Sequence, residues 1–494
     1  MRTANPRNKA EIHKGWALLL LALLSLAALL VHGYHPFAED AEIYLPGVEK
    51  ILHPQLFPVG TEFFESHAHL TLFPNLIALS VRITHLPLEV VLFLWYVGSI
   101  FLLLVACWDL TGKCFTTPAA RWAGVVMVAA LLTLPVAGTA LYIMDQYTNP
   151  RNIAAFAAVF AIVRVRDKKY VSTVLWLALA AAVHPLMAAF AFSYCALLVL
   201  MEHLAARAGT LALLLLPLQL SLQPASQAYH EAALYHSFHY LTHWQWYEWL
   251  GIIAPIGLFY WFSRIARSRQ LPNLERMCRA LIVYDVVFFA AALLISIPRR
   301  FESLARLQPL RSLHLLYILL LVFGGGLLGQ YLLKNRILRW ALLFVPMCAG
   351  MFLAQRALFP ASAHVEWPWS QPKNQWALAF RWIRDHTPTD AMFAIDPLYM
   401  EIPGEDTNGF RCISQRSRLA DAVKDSGAVS MFPPLADEWW EQFQAQQNWK
   451  KFDLQDFQRL RTRFGVGWVV VQTPGVAGLS CPYGNQTVLV CRTD

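Results

Sequence analysis

Apolar runs recur through the first 358 residues, at 16–31, 70–83, 88–106, 122–141, 151–163, 170–183, 186–202, 210–222, 248–263, 278–297, 312–332 and 338–358. Many approach the ~20 residues that an α-helix needs to cross a bilayer. Lipid offers no hydrogen bonds to a backbone, so apolar segments of this kind must satisfy their own amides as helices. The composition agrees: 57% of residues are hydrophobic and only 15% charged, against about 25% charged for a soluble chain. Eighteen tryptophans and seventeen tyrosines suit aromatic belts at the two interfaces. The formal net charge of +8 reads as basic cytoplasmic loops, and no nucleic-acid-binding motif accompanies it.

Positive charge orients the runs. Arg2, Arg7, Lys9 and Lys14 precede the first run, and no small-residue cleavage site follows it. That pattern predicts an uncleaved first helix with a cytoplasmic N-terminus. If 70–83 crossed, the basic loops at 164–169 and 264–279 would fall outside. If it does not, both fall inside, together with Lys113, Arg121 and the loop at 334–339. The run is also short for a span and contains Arg82. The expected fold is therefore an α-helical polytopic membrane protein of about eleven spans, residues 1–358. Its long first outer loop, 33–87, carries interfacial helices near 41–52 and 67–83.

That loop is the densest polar stretch. Glu39, Asp40, Glu42, Glu49, Glu62 and Glu65 face one lysine, Lys50, with His35, His53, His67 and His69 interspersed. Carboxylates this close to an apolar helix point to a water-filled site at the membrane face, the alternative being a solvated loop. Other outer loops contribute Asp145, Tyr147 and Arg151, the pair His184-Pro185, and a stretch with His230, His236, His239 and His243 whose aromatic side chains suit a groove. No fixed ligand set for zinc accompanies these histidines. Arg299, Arg300, Arg306 and Arg311 break the charge rule by falling outside. Paired guanidinium forks of this kind grip the phosphate of an anionic lipid or diphosphate; a topology error of one span is the alternative.

Residues 359–494 change character. WALAFRWIRDHTP, EWWEQFQAQQNWKKF and DFQRLRTRF read as helices, AMFAID and GVGWVVVQ as buried strands. Together they predict a small extracytoplasmic α/β domain. Cys481 and Cys491 flank a turn and strand and would face each other across a hairpin as a disulfide, which implies an oxidising compartment. Arg411, Arg416, Arg418, Asp421, Lys424 and Asp425 either read a substrate or knit this domain to the membrane part.

A multi-span chain with an acidic pair just after its first helix, two interfacial helices and a soluble C-terminal domain resembles the GT-C class of membrane glycosyltransferases. The tail, with its WIRDHTP helix and RFGVGWVVV strand, also resembles C-terminal domains of uncharacterised bacterial membrane proteins. The GT-C resemblance implies transfer of a sugar from a polyprenyl-phosphate or diphosphate donor to an acceptor outside the bacterial cytoplasmic membrane. It implies a catalytic carboxylate among Glu39, Asp40 and Glu42; Arg299, Arg300, Arg306 and Arg311 would then supply the positive charge that binds the donor phosphate. His35, His67, His69, Asp145, Tyr147, Arg151 and His184 would line the substrate site. The class includes metal-dependent and metal-independent members, so Mg2+ or Mn2+ on Asp40 and Glu42 stays open. The same residues admit a transporter or flippase for a lipid-linked anionic saccharide, or a non-catalytic scaffold with an outer partner-binding domain. The chain has no evident inverted repeat and no paired broken helices.

Overall fold

The computed structural model describes residues 6–204, 225–296 and 299–493. Seven stretches of described residues are long and apolar enough to cross a membrane: 15–32, 88–114, 185–203, 246–268, 272–295, 304–333 and 337–358. They belong to helices α1 (Pro6–His32), α5 (Leu88–Cys114), α9 (Pro185–Leu204), α11 (Trp246–Ser268), α12 (Pro272–Ser296), α13 (Leu313–Leu328, with the turns on either side) and α14 (Ile337–Leu358). Between α1 and α5 lie three short helices, α2 (Ala41–Leu52), α3 (Glu62–Leu70) and α4 (Phe73–Thr84). At 1.5 Å per residue the 12 residues of α4 reach about 18 Å, well short of a bilayer core of about 30 Å. The segment 67–83 is thus split over α3 and α4.

Three further helices are shorter than a typical span: α6 (Pro118–Ala130), α7 (Pro150–Arg166) and α8 (Tyr170–Val183). The run expected to cross at 122–141 is helical only to Ala130. Pro135 disfavours helix at the residue before it, and 131–149 instead forms a loop with a bridge between Pro135 and Tyr142. The run at 210–222 lies outside the described residues, and α10 (Gln227–Leu234) follows it. The helices pack through small residues. A Cβ on Gly124 would lie 2.7 Å from the Val322 carbonyl oxygen, and one on Gly325 2.6 Å from that of Ala123. Helices α6 and α13 therefore meet backbone to backbone, as small residues allow in membrane bundles.

Charge separates the two ends of the bundle. At one end Glu202 pairs with Arg166 at 2.7 Å and Arg276 at 3.2 Å, and Asn273 donates to the Lys113 carbonyl at 2.9 Å. The other end of α7, which has 17 residues, carries Arg151, roughly 22 Å from Arg166 along the axis, and there the C-terminal region docks.

That region holds α15 (Gln375–His386), α16 (Phe410–Ser414), α17 (Asp425–Met431), α18 (Ala436–Ala445) and α19 (Leu454–Phe464) around one sheet. Its strands are β1 (Met392–Ile395), β2 (Ser417–Arg418), β3 (Trp468–Gln472), β4 (Ser480–Gly484) and β5 (Val488–Arg492), in the order β2-β1-β3-β5-β4. β1 runs parallel to β2 and β3, with Phe393 opposite Trp468 and Ile395 opposite Val470. β5 is antiparallel to both β3 and β4. Cys481 and Cys491 form a disulfide across that last pair. The first loop and this region share hydrogen bonds: Tyr34 N–H donates to the His364 carbonyl at 3.0 Å, and Glu39 N–H to that of Thr407 at 2.9 Å.

Candidate functional site

A cavity of about 430 Å³ opens where the first loop, the bundle and the C-terminal region meet. Asp40 sits at its wall, at the N-cap of α2, where a carboxylate also meets the positive end of the helix dipole. Glu39 before it adopts a left-handed φ of 54°, a conformation that non-glycine residues hold only when their surroundings enforce it. Its hydrogen bond to Thr407 and an ion pair between its carboxylate and Lys424 supply that enforcement.

The polar wall is a chain of alternating charge. Asn149 Nδ2 donates to Asp145 at 2.6 Å, and Arg151 pairs with Asp145 at 2.9 Å. Arg151 also reaches Asp40 at 2.9 Å, and Lys424 bridges Asp40 at 3.0 Å and Glu39. Tyr147 accepts the Asp40 backbone N–H at 3.3 Å. Burial alone would raise the Asp40 pKa, but Lys424 and Arg151 hold the carboxyl well below the usual carboxylate range. Burial would likewise lower Lys424, and Asp40 with Glu39 hold it above the usual lysine range.

On the same cavity stands Arg311, whose guanidinium has no ion pair among the described residues and whose buried Nε has no hydrogen-bond partner. An arginine left without a carboxylate beside polar space is a ready receptor for an oxyanion. Four histidines share the lining, His67, His184, His236 and His239. Burial lowers His67 and His236 to about 4 and holds His184 and His239 well below the ordinary histidine range, which favours the neutral ring in all four. The remaining wall is largely apolar, with Ile43, Leu70, Pro135, Leu141, Leu186 and Met431.

The residues singled out in the sequence divide. Glu39, Asp40, His67, Asp145, Tyr147, Arg151, His184 and Arg311 line this one cavity. Glu42 does not. It is fully buried on another face of α2, where it accepts from the Arg411 backbone N–H at 2.7 Å and from Arg418 Nε at 3.0 Å. Glu42 is thus a tie between the first loop and the C-terminal region rather than a partner of Asp40. His35 is also elsewhere, stacked on Phe359 and 3.1 Å from Glu366, and His69 and Arg306 are exposed away from the cavity. Arg299 and Arg300 open a short 3-10 stretch, Arg299–Leu307, and their side chains lie outside what the structure describes.

A divalent cation on Asp40 and Glu42 does not fit this geometry. Asp40 is already faced by two cations, and Glu42 is consumed by two guanidinium groups. Among the described residues no three His, Cys, Asp or Glu side chains are grouped to hold a metal.

Of the mixed cluster at 411–425, Lys424 faces the cavity. Arg411, Arg418, Asp421 and Asp425 form a buried network behind it: Asp425 takes Arg411 at 2.9 and 3.0 Å, and Arg418 pairs with Asp421. Gln308, Ser430 and Tyr142 also line the cavity; nothing in their sequence neighbourhood distinguishes them. No family model and no curated protein matches this chain.

Proposed function

We propose that the chain is an integral membrane glycosyltransferase that takes a sugar from a polyprenyl-phosphate or diphosphate donor, with this cavity as its site. The observation that carries the reading is Arg311. It is a cation with no carboxylate partner among the described residues, lining the same cavity as a carboxylate, Asp40, that already carries two cations. Sugar transfer from a lipid phosphate needs both a proton acceptor and positive charge where the leaving oxygen develops its own. In the reaction, the acceptor hydroxyl oxygen bonds to the anomeric carbon as the carbon–oxygen bond to phosphate breaks. The electron pair leaves on the phosphate oxygen, toward Arg311 and Lys424, and the hydroxyl proton passes to Asp40.

In its resting ion pairs Asp40 is a weak base. A phosphate approaching Lys424 draws that cation from Asp40 and raises its basicity, so donor binding arms the carboxylate. The apolar wall suits the first isoprene units of the donor. Arg299 and Arg300 belong to the same proposal as outer phosphate contacts.

The eleven-span topology belongs here too, with a cytoplasmic N-terminus and the cavity facing outside. Two observations favour it. The basic loops gather at the Glu202 end of the bundle. The described residues flanking 205–224 also lie at opposite ends, Glu202 at the basic end and Tyr229 against Ser430 of the C-terminal region.

The test is sugar transfer in membranes supplied with a panel of polyprenyl-phosphate hexoses and pentoses, comparing wild type with Asp40→Asn. Transfer by the wild type, abolished in a variant that still inserts and folds, supports the assignment. Wild-type rates in Asp40→Asn rule out its role as the base.

A further inference from the structure

We infer that His184, Arg311 and the N-terminus of α9 form the seat of a phosphate group, which deepens the reading above by naming where the donor's phosphate sits. His184 precedes Pro185, the first residue of the 20-residue helix α9. Its Nδ1 faces inward along the helix, where the Met187 backbone N–H donates to it at 3.5 Å. A nitrogen accepting from an amide carries no proton, so the neutral ring must hold its proton on Nε2. That Nε2 is buried and has no hydrogen-bond partner among the described residues, on a residue only 9% exposed that lines the cavity. A buried donor left unmatched beside polar space is an unfilled hydrogen bond.

Three groups of positive character therefore line one cavity with no acceptor among the described residues. His184 offers Nε2–H, Arg311 offers a guanidinium without an ion pair among the described residues, and Pro185 and Leu186 bring the positive end of the α9 dipole to the cavity. Helix N-termini with such neighbours bind oxyanions. The neighbouring groups leave the role to these three. Arg151 is matched by Asp145 and Asp40, and His314 Nε2 is tied to the Ile143 carbonyl at 2.9 Å. The ligand is a phosphate monoester or diphosphate, bound by its terminal oxygens with the rest of the molecule along the apolar wall.

Isothermal titration of the purified full chain in detergent tests this with two probes, inorganic pyrophosphate and farnesyl phosphate. Each of His184→Phe and Arg311→Gln should weaken binding by about 10- to 100-fold, the effect of one charge-assisted hydrogen bond. His184→Gln, whose amide nitrogen stands in for Nε2–H, should stay within a few-fold of wild type. Thermal unfolding identifies any variant that fails to fold, in which case Arg311→Gln and His184→Gln carry the comparison. Wild-type affinity in His184→Phe, or no binding of either probe by the wild type, overturns the seat. Preference for farnesyl phosphate assigns it to a lipid donor. Equal or tighter binding of pyrophosphate keeps the seat but counts against a lipid-linked sugar, so the two readings fail separately.

Discussion

Glu42 and Asp40 stand two residues apart, and the structure gives them opposite duties that a pair of substitutions separates. Glu42→Leu keeps the side-chain volume and removes the acceptor of three buried donors: the Arg411 and Cys412 backbone N–H groups and Arg418 Nε. Each orphaned donor costs about 1–3 kcal/mol, and removing one partner of a buried ion pair typically costs ~3–5 kcal/mol in total. The loss is not a simple sum, because Asp421 and Asp425 still hold the two guanidinium groups; ~3–5 kcal/mol is the expected range. Asp40→Asn keeps its shape and leaves Glu39 and Asp145 to hold Lys424 and Arg151, so its cost should be smaller, ~1–2 kcal/mol. Tryptophan fluorescence during thermal unfolding in detergent should place Glu42→Leu about 3–5 °C below wild type and Asp40→Asn closer to it. Equal midpoints for Glu42→Leu and wild type would refute the reasoning, because a carboxylate that ties two regions together cannot be removed without effect.

Three other outcomes follow. His67 and His236, at about 4 in the folded protein, lie below the ordinary histidine value of about 6.5. The unfolded chain therefore binds more protons between those values, and stability should fall as pH drops from about 6.5 to 4; His236→Asn should flatten the slope of the unfolding midpoint across that window. Gly325→Leu drives a side chain into the Ala123 carbonyl and Met127, so it should destabilise by ~1–3 kcal/mol or more and lower the yield of folded protein in detergent. Lys424→Gln removes one of the two cations that depress Asp40, so the acidic limb of any transfer activity should move to higher pH while the rate falls; an unmoved limb would separate Lys424 from the base.

Much of this architecture was legible because membranes impose simple rules. Apolar runs marked the helices, and the short length and Arg82 of 70–83 argued against a span where the structure has the 12-residue α4. The alternation of amphipathic and β-branched stretches in the tail located α15, β1, α18, α19 and β3. The cavity was legible in its acidic wall and in Arg311, since charges beside lipid must answer to water or to each other.

What escaped was direction. Asp40 and Glu42 cannot share a face of one helix, because residues i and i+2 diverge, and the sequence could have warned of it. The partners of Glu42, however, lie about 370 residues further on. Lys424 was visible in its charge cluster, but only the fold turns it toward the cavity and its neighbours Arg411 and Arg418 away. The end of α6 at Ala130 depended on Pro135 outweighing a continuing apolar run.

Mass spectrometry of the lipids that co-purify with the full chain bears most directly on the claim that this cavity holds a lipid-linked phosphate. A polyprenyl phosphate or its glycosylated form should accompany the wild type and be depleted from Arg311→Gln. Bulk phospholipid alone in both preparations would contradict the claim.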